Sequence, residues 1–137
     1  MKANPYLNFD GDCAEAFRFY AEVFGGTIDM EMTHGGTPMA DQVPADWHDK
    51  IMHIQMRTPD GMTLMGSDAP PAYFKTPQGF AVSLQLTDPQ EAERIYTALS
   101  QDGEIGMALQ KTFWAERFAM FSDRFGTPWI INCELSA

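Results

Sequence analysis

The stretch Glu15-Ala16-Phe17-Arg18-Phe19-Tyr20 returns 76 residues later as Glu91-Ala92-Glu93-Arg94-Ile95-Tyr96, so the pattern E-A-x-R-x-Y is written twice in one chain. Recurrence in matched surroundings marks a repeated structural unit. An alternating apolar segment precedes each copy, Tyr6-Leu7-Asn8-Phe9 before the first and Val82-Ser83-Leu84-Gln85-Leu86 before the second, with the period of two that a half-buried strand requires. Asp12 stands three residues before Glu15 and Asp88 three before Glu91. This is the Asp-led form of a capping box, and Pro89 takes the first helical position, where its missing N–H costs nothing. Gly25-Gly26 and Gly103 are expected to close the two helices by supplying a left-handed residue.

Three strand-like segments follow each helix. In the first half they are Thr27 to Met32, Met52 to Arg57 and Met62 to Gly66, with Pro59-Asp60-Gly61 as a turn. In the second half they are Ile105 to Gln110, Phe118 to Ser122 and Trp129 to Glu134, with Asp123-Arg124-Phe125-Gly126 as a connecting turn. Both halves read as βαβββ. The expected fold is α+β: two tandem βαβββ modules forming a curved mixed sheet, helices on the convex face and a cup on the concave one. The chain is one domain of two modules, about residues 4–68 and 80–135, joined by a proline-bearing linker at 69–79. By strand parity Leu7, Phe9, Val82, Leu84, Leu86 and Ile131 face the helices. Tyr6, Asn8, Ala81, Ser83, Gln85, Ile130 and Asn132 face the cup. The segment Thr33 to Lys50 is long for a loop and carries Trp47 and His48; a lid and plain disorder both fit it.

Composition narrows the function classes. With 137 residues, 45% of them apolar, the chain can bury one core. Nine Lys and Arg against nineteen Asp and Glu give a net charge of -10. The basic residues are scattered singly, whereas gripping a phosphate backbone or an anionic membrane needs them clustered. Nucleic acid and membrane partners are therefore not expected. The opening MKANPYLNFDGD lacks the apolar run of a secretory signal, which predicts a cytoplasmic protein. Two cysteines, Cys13 and Cys133, cannot build a disulfide framework, and three histidines show no local metal-ligand spacing. Cys13 falls at a helix N-terminus, which favours thiolate, but reads first as a small buried residue.

The repeat, with its particular residues, resembles the vicinal oxygen chelate superfamily, which includes glyoxalase I, bleomycin-resistance proteins and extradiol dioxygenases. Within it the chain is most similar to the PhnB-type branch. The residues carrying the resemblance are Phe9, Gly11, Cys13, Glu15, Ala16, Phe19 and Tyr20, then Val23 to Gly26, Ile51 to His53 and Ser67-Asp68. Thr112 to Trp114, Asp123 to Gly126, and Pro128-Trp129 with Ile131-Asn132 complete it. No glycine-rich strand-turn-helix suited to S-adenosylmethionine is present, so a methyltransferase is not expected. The resemblance implies a homodimer and, in the metal enzymes, one His or Glu ligand near the inner end of each of four strands. Here those positions fall near Asn4, Met65, Ala81 and Ile130, or one inward step away at Tyr6, Ser67, Ser83 and Asn132. None is a competent ligand without imidazole or carboxylate partners, so neither metal nor other cofactor is expected.

The polar groups of the cup then become the candidate site. His53 shares a strand face with Gln55 and Arg57 and is the candidate acid or base, with Asp68 as its orienting partner or a cation ligand. Asn8, Gln55, Ser67, Ser83, Gln85, Trp114 and Asn132 are the candidate ligand-binding residues, Trp114 with Phe113 walling an apolar pocket. The expected function is binding of a small molecule, with or without a reaction, in a cup lacking the usual metal ligands. The alternative is a metal-dependent lyase or isomerase of glyoxalase type on a displaced site such as His53, Asp68 and Glu134.

Overall fold

The computed structural model describes residues 1–136. The chain divides into two compact units, Met1–Lys75 and Thr76–Ala137. The first contains β1 (Tyr6–Phe9), α1 (Cys13–Phe24), β2 (Thr27–Thr33), β3 (Ile51–Arg57) and β4 (Thr63–Asp68). The second contains β5 (Val82–Leu86), α2 (Pro89–Leu99), β6 (Glu104–Gln110), β7 (Ala115–Ser122) and β8 (Pro128–Glu134). Each is a βαβββ module with its own four-stranded mixed sheet, ordered β1-β4-β3-β2 and β5-β8-β7-β6. In both, the first strand pairs in parallel with the last and the other pairings are antiparallel. This is the α+β architecture read from the repeat. No helix among the described residues is long and apolar enough to cross a membrane.

The repeated hexapeptide has a packing explanation. Ala16, Phe17, Tyr20 and Val23 form the buried stripe of α1, at the spacing that keeps one helical face toward a sheet. Phe9 of β1 meets Phe17 edge-on at 6.0 Å, and Phe17 meets Tyr20 at 5.7 Å. In α2 the stripe is Ala92, Ile95 and Leu99, and Tyr96 meets Phe121 of β7 edge-on at 5.6 Å. The repeated spacing therefore delivers an alanine for close helix-sheet approach and a tyrosine for an aromatic contact, once per module. Strand parity follows: Leu7 and Phe9 are buried and alternate with exposed Tyr6 and Asn8. Val82 and Leu84 alternate with exposed Ser83 and Gln85.

The helix ends depart from the symmetric expectation. Asp88 caps α2, its carboxylate accepting from Gln90 N at 3.0 Å. Asp12 makes no such bond at α1. Its place is taken by Asp68, whose Oδ1 accepts from Gly11 N at 2.9 Å and Cys13 N at 3.0 Å. Neither capping box closes through its Glu side chain: Glu91 pairs instead with Arg94 at 2.6 Å, which holds its carboxyl below the usual range. Gly25 ends α1 in the left-handed conformation, as expected. After α2, however, the left-handed residue is Asp102 and not Gly103. Gly103 is required for space, because a Cβ there would fall onto the backbone oxygen of Ser122.

Residues 34–50 are neither strand nor loose loop. Two short 3-10 turns, Ala40–Gln42 and Ala45–Trp47, interrupt them, and backbone bonds from His34 N to Lys50 O and Gly35 N to His48 O, both 2.9 Å, close the segment at its base. Trp47 is buried and packs edge-on against His34 at 6.2 Å. The His34 ring donates through Nε2 to Asp68 O at 3.1 Å, and His48 donates to Ala40 O at 2.9 Å. Three of the segment's aromatic and imidazole side chains thus fasten it.

Candidate functional site

In each module one sheet face is covered by the helix, and the side chains of opposite parity form the other, open face. On the first sheet, register places Tyr6 beside Met65 and Asn8 beside Ser67. Gln55 lies opposite both Met65 and Met30, and His53 opposite Met32. Tyr6 and His53 meet on this face, with Tyr6 Oη 3.1 Å from His53 Nδ1 and the rings stacked at 5.7 Å. Where the phenol donates to Nδ1, the ring proton sits on Nε2, leaving an N–H donor free to act on a ligand. Gln55 is engaged elsewhere: its amide donates to Asp29 at 3.1 Å, and Asp29 also pairs with Arg57 at 2.9 Å.

Asp68 is not where a partner of His53 would be. Its parity is that of the covered face, and only 2% of it is exposed. Oδ1 takes the N–H groups of Gly11 and Cys13, and Oδ2 takes that of Ile51 at 2.8 Å. The carboxylate ties the start of α1 and the start of β3 to the end of β4, with both oxygens committed to backbone donors. The sequence offers Asp68 both as a partner for His53 and as an ordinary turn opener, because a Ser-Asp pair before two prolines does not reveal which backbone amides come back to it; here those amides are Gly11, Cys13 and Ile51.

Cys13, beside this carboxylate, is fully buried. Burial, then the charges of Asp68, Asp12 and Glu31, push its thiol far above the ordinary range. It stays protonated at neutral pH and cannot serve as a thiolate nucleophile. Asp12 is itself raised, chiefly by burial and then by Asp68 and its other acidic neighbours, against the lowering effect of its backbone hydrogen bond.

On the second sheet the sequence-predicted residues come together more closely. Ser83, Gln85 and Asn132 form a relay: Asn132 Nδ2 donates to Gln85 Oε1 at 2.9 Å, and Gln85 Nε2 donates to Ser83 Oγ at 2.8 Å. Asn132 Oδ1 is buried and has no hydrogen-bond partner among the described residues. Phe118 lies opposite Asn132 across β7 and β8, and Trp114 packs edge-on to Phe118 at 5.1 Å. Phe113 packs on Trp114 at 4.8 Å and is itself 90% exposed. Phe118 escaped the sequence reading, although parity with Met120 on β7 would have placed it on this face. A separate groove of about 310 Å³ lies at the end of the same sheet, lined by Phe80, Ile105, Met120 and Pro128 among others. None of the sequence-predicted site residues lines it.

With this geometry in place the chain can be set beside known proteins. The glyoxalase/bleomycin resistance protein/dioxygenase superfamily matches residues 2–131. The chain belongs to this superfamily. A curated relative, protein YjdN of Escherichia coli strain K12, is 34% identical over 140 residues, covering 96% of this chain and 95% of its own. Protein PA1353 of Pseudomonas aeruginosa is 42% identical, with a TM-score of 0.89 and 99% of both chains covered. A PhnB protein from Bacillus cereus, 21% identical, shares the fold with a TM-score of 0.80 over 97% of this chain and 99% of its own.

The divalent ion that the superfamily's metal enzymes chelate finds no matching donor set here. Tyr6 and Met65 sit side by side across β1 and β4, and Ser83 and Ile130 across β5 and β8. Phenol, thioether, hydroxyl and alkyl groups occupy these four positions, and such groups do not hold a divalent ion without imidazole or carboxylate partners. Among the described residues no three His, Cys, Asp or Glu side chains gather closely enough to hold an ion.

Proposed function

We propose that this superfamily member binds a small organic molecule through neutral hydrogen-bonding and aromatic side chains on its open sheet faces, in place of a chelated metal. The observation that supports the reading is the chemistry of those faces. A strand face that meets only water is free to carry Lys and Glu. Apart from the Arg57–Asp29 ion pair at the edge of the first sheet, these faces carry Asn8, His53 and Ser67 on one sheet and Ser83, Gln85 and Asn132 on the other. Several are drawn into mutual hydrogen bonds, and aromatic rings stand beside them. Such a mixture of apolar walls with a few placed polar groups is how proteins recognise small ligands. His53, positioned by Tyr6, is the group on the first face suited to exchange a proton with a bound molecule.

We propose further that the protein acts as a homodimer. Support comes from the edge strands, β1 and β2 in one sheet and β5 and β6 in the other. Strands paired within their sheet on one side only are shielded in many proteins by association. Light scattering at micromolar concentration is expected to give twice the chain mass, and a monomer would contradict this part of the reading.

Native mass spectrometry of protein purified without chelator tests the main claim. The expected result is an organic adduct of defined mass that survives EDTA treatment. An adduct that EDTA removes, or that His53→Ala and Asn132→Leu both leave untouched, would contradict it.

A further inference from the structure

We infer that the open face of the second sheet holds a subsite for a flat aromatic or heteroaromatic ring bearing an N–H or O–H donor. The inference rests on the small-molecule reading above and specifies the ligand class. Two features of this face are left incomplete by the chain itself. The Asn132 carboxamide is held through Nδ2 by Gln85, and Gln85 by Ser83, so its orientation is set by a relay across β8 and β5. That arrangement leaves Oδ1 buried with no donor among the described residues. Buried amide oxygens in folded proteins almost always have a partner, and this one is free to take a donor from outside the chain.

The second feature is apolar. Phe118, Trp114 and Phe113 form a run of edge-to-face contacts beginning directly opposite Asn132. Rings that served only the core would be covered, yet Trp114 is 44% exposed. An aromatic surface next to a lone acceptor suits a ligand that stacks with its ring and reaches the oxygen with one donor. Solvent does not touch Oδ1, so the side chains over it must move aside as the donor enters. The chain's charge of -10 favours a neutral or cationic ring over an anionic one.

The test is a nuclear magnetic resonance titration of the full ¹⁵N-labelled chain with three probes of similar size: indole, 1-methylindole and quinoline. Indole is expected to shift the side-chain amide signals of Asn132 and Gln85 and the ring N–H of Trp114. It is expected to bind about fivefold more tightly than 1-methylindole, which lacks the donor. That preference should vanish in Asn132→Leu. Trp114→Ala, at a half-exposed position that leaves the core intact, should weaken both indoles severalfold. Equal affinity of the two indoles for the unsubstituted chain would overturn the inference, as would preference for quinoline, which only accepts, or unchanged indole binding in Trp114→Ala. Shifts confined to Tyr6, His53 and Gln55 would overturn this subsite while leaving the broader binding reading in place.

Discussion

Asp68 shows how a single carboxylate can be read in two ways. Beside His53 in the sequence it resembles half of a catalytic pair, but its two oxygens satisfy three backbone N–H groups, those of Gly11 just before α1, Cys13 at its start and Ile51 at the start of β3. Leaving buried donors unpaired costs about 1–3 kcal/mol each. Asp68→Ala is therefore expected to lose about 3 kcal/mol or more of stability in urea unfolding, whereas His53→Ala, on the half-exposed open face, should lose less than about 1 kcal/mol. Equal losses would contradict this division of roles. Cys13, packed against the same carboxylate, gives a pH prediction. Its folded thiol is raised above the ordinary value of 9.0. As pH climbs past that value the unfolded thiol ionises while the folded one keeps its proton, so the unfolded state is favoured and stability falls. In Cys13→Ala the drop in stability between pH 8 and pH 10.5 should be smaller than in the unsubstituted protein, and an unchanged drop would contradict the assignment.

At the scale of elements, the two helices solve one problem differently. Asp88 caps α2 from the adjoining position, while α1 borrows its cap from the last strand of its own sheet. Asp88→Ala should therefore cost about 1 kcal/mol, and Asp12→Ala only a few tenths, since Asp12 accepts no capping bond. Comparable losses in thermal unfolding would contradict this. The end of α2 yields a stabilising change. Asp102 holds a positive φ of 60° that glycine adopts without strain. Asp102→Gly is expected to raise stability by about 0.5 kcal/mol, whereas Gly103→Ala should be destabilising because its Cβ meets Ser122 O. The strands and helices were legible in the sequence because alternation and the capping residues are local signals. The asymmetric cap was not, because Asp68 and Cys13 meet only after β4 has paired with β1. The same holds for residues 34–50, whose order depends on His34 reaching Asp68 O.

At the scale of the whole molecule, the duplicated hexapeptide disclosed the architecture: two βαβββ modules, each with a sheet covered on one face by its helix. The candidate site was legible in part. Strand parity placed Tyr6, His53, Ser83, Gln85 and Asn132 on open faces, and the Ser83-Gln85-Asn132 relay follows from their adjacent registers. Parity could not show that Tyr6 would bond to His53, that Gln55 would turn to Asp29, or that Phe118 would join Trp114, because those contacts depend on rotamers and bulges. Membership of the superfamily brings a scaffold on which unrelated chemistries are hosted, so function must be argued from these side chains.

Metal content tests most directly the proposal that ligand recognition replaces metal chelation in this chain. Inductively coupled plasma mass spectrometry of protein purified without chelator and then dialysed against Mn²⁺, Ni²⁺ or Zn²⁺ is predicted to show far less than one bound equivalent of any of them. One tightly held equivalent, lost on His53→Ala, would contradict the account.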